Sequence, residues 1–147
     1  GAVKNFLMND KCAAGTGRFL EMMARTLGLY LEEMSTKGLE WKENIVISSM
    51  CTVFAESEVV SLVAQNKDVA DIIHGLNVSV ASKVGALAAR LGKKNPGEYM
   101  MTGGVAKNPG IIKALEEKLD AKLYICDEAQ LCGALGAALF AYEKCSV

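Results

Sequence analysis

The sequence predicts an α/β protein, and two observations carry this prediction. Between Tyr99 and Tyr142, short apolar segments that resemble strands alternate with longer segments whose apolar residues have helical spacing. Such an alternation with short turns is typical of an α/β layer in which at least some strands are parallel. In addition, the pair Gly103-Gly104 follows a predicted strand, and open α/β sheets bind ligands at the carboxyl ends of their strands.

The first two thirds of the chain are predicted to contain two short strands, three helices and, at residues 30–44, a mixture of short helical pieces and turns. The predicted strands are Lys4–Met8 and Ile45–Ile47. The predicted helices, identified by the spacing of their apolar residues, are Arg18–Gly28, Ala55–Gln65 and Val69–Leu91. The last of these is the longest, and Asn95-Pro96-Gly97 is expected to end the helical stretch.

The remaining third is more regular. The predicted strands are Tyr99–Met101 and Lys122–Ile125, and each is followed by a helix. Pro109 opens the first helix, where its missing N–H costs nothing. Asp127 and Gln130 have the spacing of an N-cap and its reciprocal partner, which predicts that the last helix begins there.

Composition and charge exclude several classes of function. The chain has 147 residues, of which 51% are hydrophobic and 22% charged, as expected for a globular domain. The net charge of -1 disfavours a nucleic-acid or anionic-membrane surface, which needs clustered Lys and Arg. No apolar run approaches the roughly 20 residues of a membrane span, and no secretory signal is visible, so we expect a cytoplasmic protein.

The five cysteines are Cys12, Cys51, Cys126, Cys132 and Cys145. Their odd number and wide spacing disfavour a disulfide framework, so buried or free thiols are the simplest interpretation. For Cys126, Cys132 and Cys145 we expect a packing role.

Cys12 and Cys51 are different, because each falls where a predicted strand gives way to a helix. The positive end of a helix dipole lowers the pKa of a thiol and favours bound anions. A four-iron cluster needs four thiolates, and a two-fold dimer could supply them from two cysteines per chain. The alternative is that both segments are simply tight strand-to-helix turns.

Two glycine-containing segments could bind an anion or a flat ring. Small residues in Asn9–Gly17 would let backbone N–H groups approach a phosphate closely. In Met101–Pro109 a ring or phosphate could lie against bare glycine backbone, and Asn108 could hydrogen-bond a ribose or base. A purely structural turn is the alternative for both. The single histidine, His74, gives no support for Cys–His or Ser–His–Asp catalysis and is expected to pack or to face solvent.

Taken together, four segments resemble one family: Asp10–Glu21 (DKCAAGTGRFLE), Cys51–Glu58 (CTVFAESE), Thr102–Asn108 (TGGVAKN) and Gly133–Ala138 (GALGAA). They are similar to the activators (component A) of 2-hydroxyacyl-CoA dehydratases, in the BadF/BadG/BcrA/BcrD-type ATPase family. The ATPase subunits of benzoyl-CoA reductases are close relatives. The resemblance covers nearly the whole chain.

The resemblance implies an acetate kinase/sugar kinase/Hsp70/actin-like (ribonuclease H-like) ATPase fold, in which two lobes clasp ATP or ADP with Mg. It also implies a homodimer that shares one [4Fe-4S] cluster, with Cys12 and Cys51 as the ligands from each chain. The residues implied to contact nucleotide are Gly15, Thr16 and Gly17 near the phosphates and Thr102, Gly103, Gly104 and Asn108 around the adenosine.

The implied function is ATP-dependent electron transfer. ATP binding and hydrolysis would change the angle between the two cluster-bearing helices and drive an electron into a 2-hydroxyacyl-CoA dehydratase. The implied electron donor is a ferredoxin or flavodoxin.

The same resemblance sets an expectation for domain organisation. Residues 1–147 would form a single C-terminal ATPase lobe, with a cluster-bearing helical part at 10–66 and an adenosine-side α/β part at 97–147. The phosphate loops of the N-terminal lobe are missing from the sequence, which opens on Gly1-Ala2 without an initiator Met. We therefore expect no catalytic residue in this segment and little or no ATP hydrolysis by it alone.

Two alternatives remain open from the sequence. One is a cluster-free sugar kinase-like ATPase of the same fold, in which the cysteines are incidental. The other is a non-catalytic dimerisation or docking module whose glycine turns are only structural.

Overall fold

The computed structural model is mostly helical and describes residues 3–9, 16–48, 51–91 and 98–145. The helices in these ranges are α1 (Gly17–Thr26), α2 (Leu31–Lys37), α3 (Thr52–Ala64), α4 (Val69–Arg90), α5 (Pro109–Leu119) and α6 (Cys132–Cys145). The strands are β1 (Tyr99–Met100) and β2 (Leu123–Tyr124). Short 3₁₀ helices lie at Gly104–Lys107 and Ala129–Leu131.

Strands β1 and β2 are parallel and are connected by α5, which confirms the predicted strand–helix–strand unit. Tyr99 pairs with Leu123 and Met100 with Tyr124. The Met101 N–H donates to the Tyr124 carbonyl at 2.9 Å, which continues the pairing by one hydrogen bond. Both strands are shorter than the sequence predicts, but their order and direction are as expected.

The end of α5 is fixed to the start of β2 by one carboxylate. Glu116 accepts hydrogen bonds from the Leu123 N–H at 3.0 Å and from Lys122 Nζ at 2.9 Å. Both hydrogen bonds lower the pKa of Glu116, and the bond from Leu123 has the larger effect. Asp120 ends the helix in the left-handed conformation, with φ of 51°, so the chain reverses within a few residues to return beside β1.

The predicted strands at Lys4–Met8 and Ile45–Ile47 are wrong, since neither segment is a strand in the structure. In the described residues, the one sheet consists of β1 and β2, so these two segments have no strand beside them. Ile47 is nevertheless buried and packs in the core. Its apolar character was therefore a correct sign of burial but not of a hydrogen-bonded ladder.

Helix α4 lies in the hydrophobic core and packs along α5. Asp68 caps its first turn, because its carboxylate accepts from the Ala70 N–H at 2.8 Å. Ile72, Ile73 and Leu76 are fully buried, and each such side chain contributes about 1.5–3 kcal/mol through removal of apolar surface from water. The long predicted helix at 69–91 is confirmed.

Helix α4 is also long and apolar enough to cross a membrane, by length and composition alone. The sequence expectation that no stretch approaches such a length is therefore too strong. A core helix meets the same criteria, and 44% of the relevant window is buried within the protein. The burial of α4 against α5 and the other core elements accounts for its apolar sequence.

Two polar side chains of α4 hold the segment that precedes the core residue Ile47. Asp71 is buried and accepts hydrogen bonds from the Lys42 N–H at 2.6 Å and the Glu43 N–H at 3.0 Å. These two hydrogen bonds lower the pKa of Asp71, and the bond from Lys42 has the larger effect. His74 stacks on Trp41 with ring centroids 4.0 Å apart, and burial lowers its pKa. His74 therefore packs, as expected, and has no catalytic partner among these contacts.

Helix α6 differs from the others because none of its described residues is buried. The predicted capping pair Asp127 and Gln130 is wrong, since the helix begins only at Cys132. Residues 129–131 instead form their own 3₁₀ turn, in which the Leu131 N–H donates to the Glu128 carbonyl at 2.7 Å. Gln130 therefore belongs to this 3₁₀ turn and not to the first turn of α6.

Candidate functional site

A cavity of about 570 Å³ brings the two glycine-containing segments together. Gly17 lies on one side, and Gly104 and Asn108 lie on the other. Gly17 is far in sequence from Gly104 and Asn108, and all three residues were predicted to contact the same ligand. One pocket is therefore lined by Gly17, which was predicted to lie near the phosphates, and by Gly104 and Asn108, which were predicted to lie around the adenosine.

One wall of the pocket is the first turn of α1. Thr16 is the N-cap, and its carbonyl accepts from the Phe19 N–H at 3.1 Å. A side chain at Gly17 would meet Val105 Cγ2 at 3.6 Å, an ordinary contact distance. The start of α1 thus faces Val105 of the 3₁₀ helix Gly104–Lys107 across the pocket wall. Gly15 and Cys12, predicted for this loop, lie outside the described residues.

The other side is built by the Gly103-Gly104 turn. Gly103 has φ of 92°, a conformation that strongly favours glycine, and its N–H donates to the Ala129 carbonyl at 2.8 Å. Gly104 then opens the 3₁₀ helix and exposes its backbone to the pocket. Thr102 and Gly103 do not line the cavity. They adjoin it, and Gly103 shapes the turn that does.

Asn108 has a structural role as well as its place in the pocket wall. It is buried, and its Oδ1 accepts from the Ile111 N–H at 3.0 Å, which caps α5. The cap fixes the side chain at the junction between the 3₁₀ helix and α5. The carbonyl oxygen of its amide is therefore already engaged with the helix it caps.

Sequence reasoning missed several charged and polar residues of the pocket. Helix α2, which was predicted only as a mixture of helical pieces and turns, contributes Glu32 and Ser35. Glu21, Lys107 and Gln130 complete the polar lining. Lys107 lay inside a quoted motif and could have been singled out by its charge. Nothing local in the sequence pointed to α2, whose contribution comes from packing against α1, α4 and α5.

The pocket combines apolar walls with opposite charges. Leu20, Leu31 and Val105 supply apolar surface, which suits the faces of a flat ring. The carboxylates of Glu21 and Glu32 can accept hydrogen bonds from hydroxyl or amino groups. Glu21 also accepts from Arg18 at 2.7 Å, but both side chains are largely exposed, so this ion pair adds little stability.

Cys51 lies at the N-cap of α3 and is exposed. Its carbonyl accepts from the Ala55 N–H at 2.9 Å, while its side chain makes no capping bond. The thiol is thus accessible at the positive end of a helix, as the sequence predicts, although the strand predicted before it at Ile45–Ile47 is not formed. In the part of the chain that the structure describes, no group of three His, Cys, Asp or Glu side chains is placed to hold a metal ion.

The helices that follow the two cysteine motifs pack against each other. Thr26 at the end of α1 donates from its hydroxyl to Glu56 Oε1 in α3 at 3.1 Å. Phe19 and Met23 of α1 and Val59 of α3 belong to the same buried core. The structure therefore places α3 beside α1, the helix that comes directly after the Cys12 segment.

The other three cysteines do not follow the expectation of simple packing. Cys145 is exposed, and Cys126 and Cys132 are half-buried. The Sγ atoms of Cys126 and Cys132 lie 3.6 Å apart, and this hydrogen bond is the main reason that the pKa of Cys132 is raised. The sequence did not predict that these two thiols lie together. The turn that joins them contains a 3₁₀ helix, which was not predicted.

Comparison with known proteins identifies the relatives of this chain. The family model of the BadF/BadG/BcrA/BcrD ATPases matches residues 1–141. The 2-hydroxyisocaproyl-CoA dehydratase activator of Clostridioides difficile is 44% identical over 144 residues, covering 98% of this chain and 53% of the relative. The (R)-2-hydroxyglutaryl-CoA dehydratase activating ATPase of Acidaminococcus fermentans is 50% identical, covering 98% of this chain and 55% of the relative.

Two solved structures of dehydratase activators are also similar to this chain. The Clostridium difficile activator with bound ADPNP superposes with a TM-score of 0.89 at 45% identity, covering 97% of this chain and 52% of that one. The Acidaminococcus fermentans component A structure gives a TM-score of 0.91 at 49% identity, covering 98% and 55%. These neighbours have an actin-like ATPase fold, and this chain spans about half the length of the relatives it matches. The chain belongs to the BadF/BadG/BcrA/BcrD ATPase family.

Proposed function

We propose that this chain is the nucleotide-binding and cluster-bearing half of an ATP-dependent activator that reduces a 2-hydroxyacyl-CoA dehydratase. One observation carries the proposal: the pocket joins Gly17 at the start of α1 with Gly104 and Asn108. A ligand in this pocket would touch both the α/β unit and the helix that follows the Cys12 segment. The names of the relatives supply the reaction class.

The proposed ligand is ATP or ADP with Mg. The base and ribose would lie between the apolar walls and the exposed backbone of Gly104, with ribose hydroxyls donating to Glu32. The phosphates would approach the N-terminal turn of α1, a helix of ten residues whose positive end favours anions. Lys107 would add positive charge to the same rim.

The residues present fit a shared [4Fe-4S] cluster. Cys51 is exposed at a helix N-terminus, where an anionic group is favoured, and α3 packs beside α1. A four-iron cluster needs four thiolates, and Cys51 supplies one of them. Cys12 of the same chain and the Cys12 and Cys51 of a second copy would supply the other three. Such a cluster supplies one-electron transfer when bound.

A chain of contacts could connect nucleotide and cluster. A ligand between Gly17 and Gly104 would contact the start of α1 and the neighbouring Val105. Helix α1 is tied to α3 by the Thr26–Glu56 hydrogen bond. A small movement of α1 would therefore reach the N-terminus of α3, where Cys51 lies.

This proposal includes the domain organisation expected from the sequence. Residues 1–147 would form the C-terminal lobe, with the cluster-bearing part at 10–66 and the adenosine side at 97–147. Both parts contribute to the pocket, since Gly17 belongs to the first and Gly104 to the second. The opposite lobe, with the remaining phosphate contacts, would come from sequence outside this chain, so the chain alone would hydrolyse ATP poorly.

The proposed partners follow from the same function. A homodimer would hold the cluster, a ferredoxin or flavodoxin would supply the electron, and a 2-hydroxyacyl-CoA dehydratase would receive it in the cytoplasm. A cluster-free kinase or a docking module is not favoured, because the named relatives are dehydratase activators.

Anaerobic reconstitution with iron and sulfide tests the cluster. We expect a brown dimer with four irons, and we expect Cys12→Ser or Cys51→Ser to lose both iron and colour. Cys145→Ser is the matched control, because Cys145 is exposed at the far end of α6 and should not affect iron content. Iron bound equally by the Cys51→Ser variant would contradict the proposal.

Nucleotide binding is measured separately with a fluorescent ATP analogue. Gly104→Val should weaken binding strongly, because its side chain would project from backbone that lines the pocket. Gly133→Val is a matched control, since it lies in α6 with open space around it. Equal affinities of the two variants would contradict the assignment of the pocket.

A further inference from the structure

Cys126 and Cys132 form a thiol pair that the proposed function does not use. Cys126 follows β2, and Cys132 is the first residue of α6. Their sulfurs are 3.6 Å apart, and both residues are half-buried, so a small reagent can reach them. A disulfide needs the sulfurs to approach to about 2.05 Å, so the turn between the two cysteines must tighten when the bond forms.

The turn enclosed by these cysteines contacts the nucleotide pocket at two points. The Ala129 carbonyl accepts from the N–H of Gly103, the residue that shapes the glycine turn, at 2.8 Å. Gln130 lines the pocket itself, and its Nε2 would be 3.8 Å from a side-chain atom added at Gly104. A change in the Cys126–Cys132 turn is therefore transmitted directly to the pocket wall.

We propose that Cys126 and Cys132 form a reversible disulfide whose formation weakens nucleotide binding in the adjacent pocket. The second half of this statement rests on the proposed function, whereas the first half does not. Drawing the sulfurs together moves the backbone that carries Ala129 and Gln130. The hydrogen bond to Gly103 is then lengthened and the pocket wall displaced.

The oxidant would be a low-molecular-weight disulfide such as glutathione disulfide. The thiolate of Cys126 attacks one sulfur of the oxidant, which forms a mixed disulfide and releases one thiolate. Cys132 then attacks the sulfur of Cys126 and expels the second thiolate. Two protein thiols lose two electrons and two protons in total, and the oxidant is reduced to two thiols.

The contacts of Cys132 support this order of attack. Its Sγ is hydrogen-bonded to Cys126 and also donates to the Glu128 carbonyl at 3.6 Å. The bond to Cys126 raises the pKa of Cys132, which lowers the fraction of its nucleophilic thiolate. Once Cys126 is consumed in the mixed disulfide, that bond is lost and Cys132 is released to react.

The test uses the full-length protein, anaerobically, before and after treatment with glutathione disulfide. We expect peptide mass mapping to find a 126–132 cross-link with the loss of two hydrogens. We expect the affinity for the fluorescent ATP analogue to fall on the order of fivefold or more, within the usual range of coupling between sites. Dithiothreitol should restore both the mass and the affinity.

Three variants separate the possible results. Cys126→Ser and Cys132→Ser should show no change in affinity on treatment, while Cys145→Ser should respond as the unmodified protein does. Failure of the cross-link to form would overturn the proposal, and a cross-link that leaves affinity unchanged would overturn the coupling. If the reduced protein bound no nucleotide, the proposed function and the coupling would both fail, and the mapping would still decide whether the disulfide exists.

Discussion

Helices α4 and α6 have similarly apolar sequences but opposite surroundings. Along α4, the side chains of Ile72, Ile73 and Leu76 are fully buried. Along α6, Leu135 and Phe140 are 55% and 69% exposed, and none of the helix's described residues is buried. The comparison shows that apolar composition does not determine burial. What distinguishes α4 is the set of partners around it, above all α5.

The largest expected difference between the two helices concerns large-to-small substitutions. Leu76→Ala in α4 should lower the free energy of unfolding by about 2–5 kcal/mol, because it leaves a cavity in the core. Leu139→Ala in α6 is the matched control and should change it by less than about 0.5 kcal/mol. Denaturant unfolding of the 147-residue chain measures both. Similar losses would mean that α6 is packed in solution.

Glycine-to-alanine substitutions should differ in sign. A side chain at Gly75 in α4 would collide with the Ile45 carbonyl oxygen, so Gly75→Ala should destabilise the chain by about 1–3 kcal/mol. Gly136 in α6 has open space around it, and Gly136→Ala should stabilise by about 0.5–1 kcal/mol through helix propensity. Thermal unfolding of the two variants gives the signs directly. A stabilising Gly75→Ala would contradict the close approach of the segment at Ile45.

The buried carboxylate of α4 should make stability depend on acid pH. Hydrogen bonds from Lys42 and Glu43 lower the pKa of Asp71 in the folded state, so the unfolded state binds its proton more readily. Its contribution is present above the unfolded pKa of about 3.9 and is lost as pH falls through the folded value.

Asp71→Asn tests this dependence. The variant should be less stable than the parent at neutral pH, and its stability should fall less steeply below about pH 4. Glu143→Gln in α6 is the control, since Glu143 is exposed, and its acid profile should match that of the parent. Parallel profiles for Asp71→Asn and the parent would contradict the role of these hydrogen bonds.

The smallest effect is expected for a polar substitution on α6. Leu135→Gln should leave the free energy of unfolding within about 0.5 kcal/mol, because the side chain is exposed. It should also reduce self-association of the 147-residue chain, since the apolar residues of α6 form an exposed surface. Sedimentation at several concentrations measures the association. A marked loss of stability would show that Leu135 is packed.

Local patterns predicted the elements well where one periodicity extends over many residues. The spacing in α4 and the strand–helix–strand unit around α5 were both identified from sequence. The segment at Ile45–Ile47 was misassigned as a strand, because a short apolar run reports burial but not the presence of a neighbouring strand. Helix α2 was not recognised as a continuous helix, since its seven residues contain too few turns to establish a period.

For the candidate site, the glycine motifs predicted that Gly17, Gly104 and Asn108 contact one nucleotide, and in the structure these three residues line one cavity. The motifs could not predict Glu32, because it enters the pocket through the packing of α2. They also could not predict that Gln130 leaves its expected capping position for the pocket wall, since that depends on a 3₁₀ turn formed with distant backbone at Gly103.

The stack of Trp41 on His74 provides an optical signal from within the fold. Trp41 is the only tryptophan of the chain, so all indole emission arises from this one position. A protonated imidazole in contact with the ring quenches that emission, and a neutral one does so far less. A fluorometer can therefore follow the ionisation of His74 in the native protein, and the release of the ring on unfolding, without any added dye.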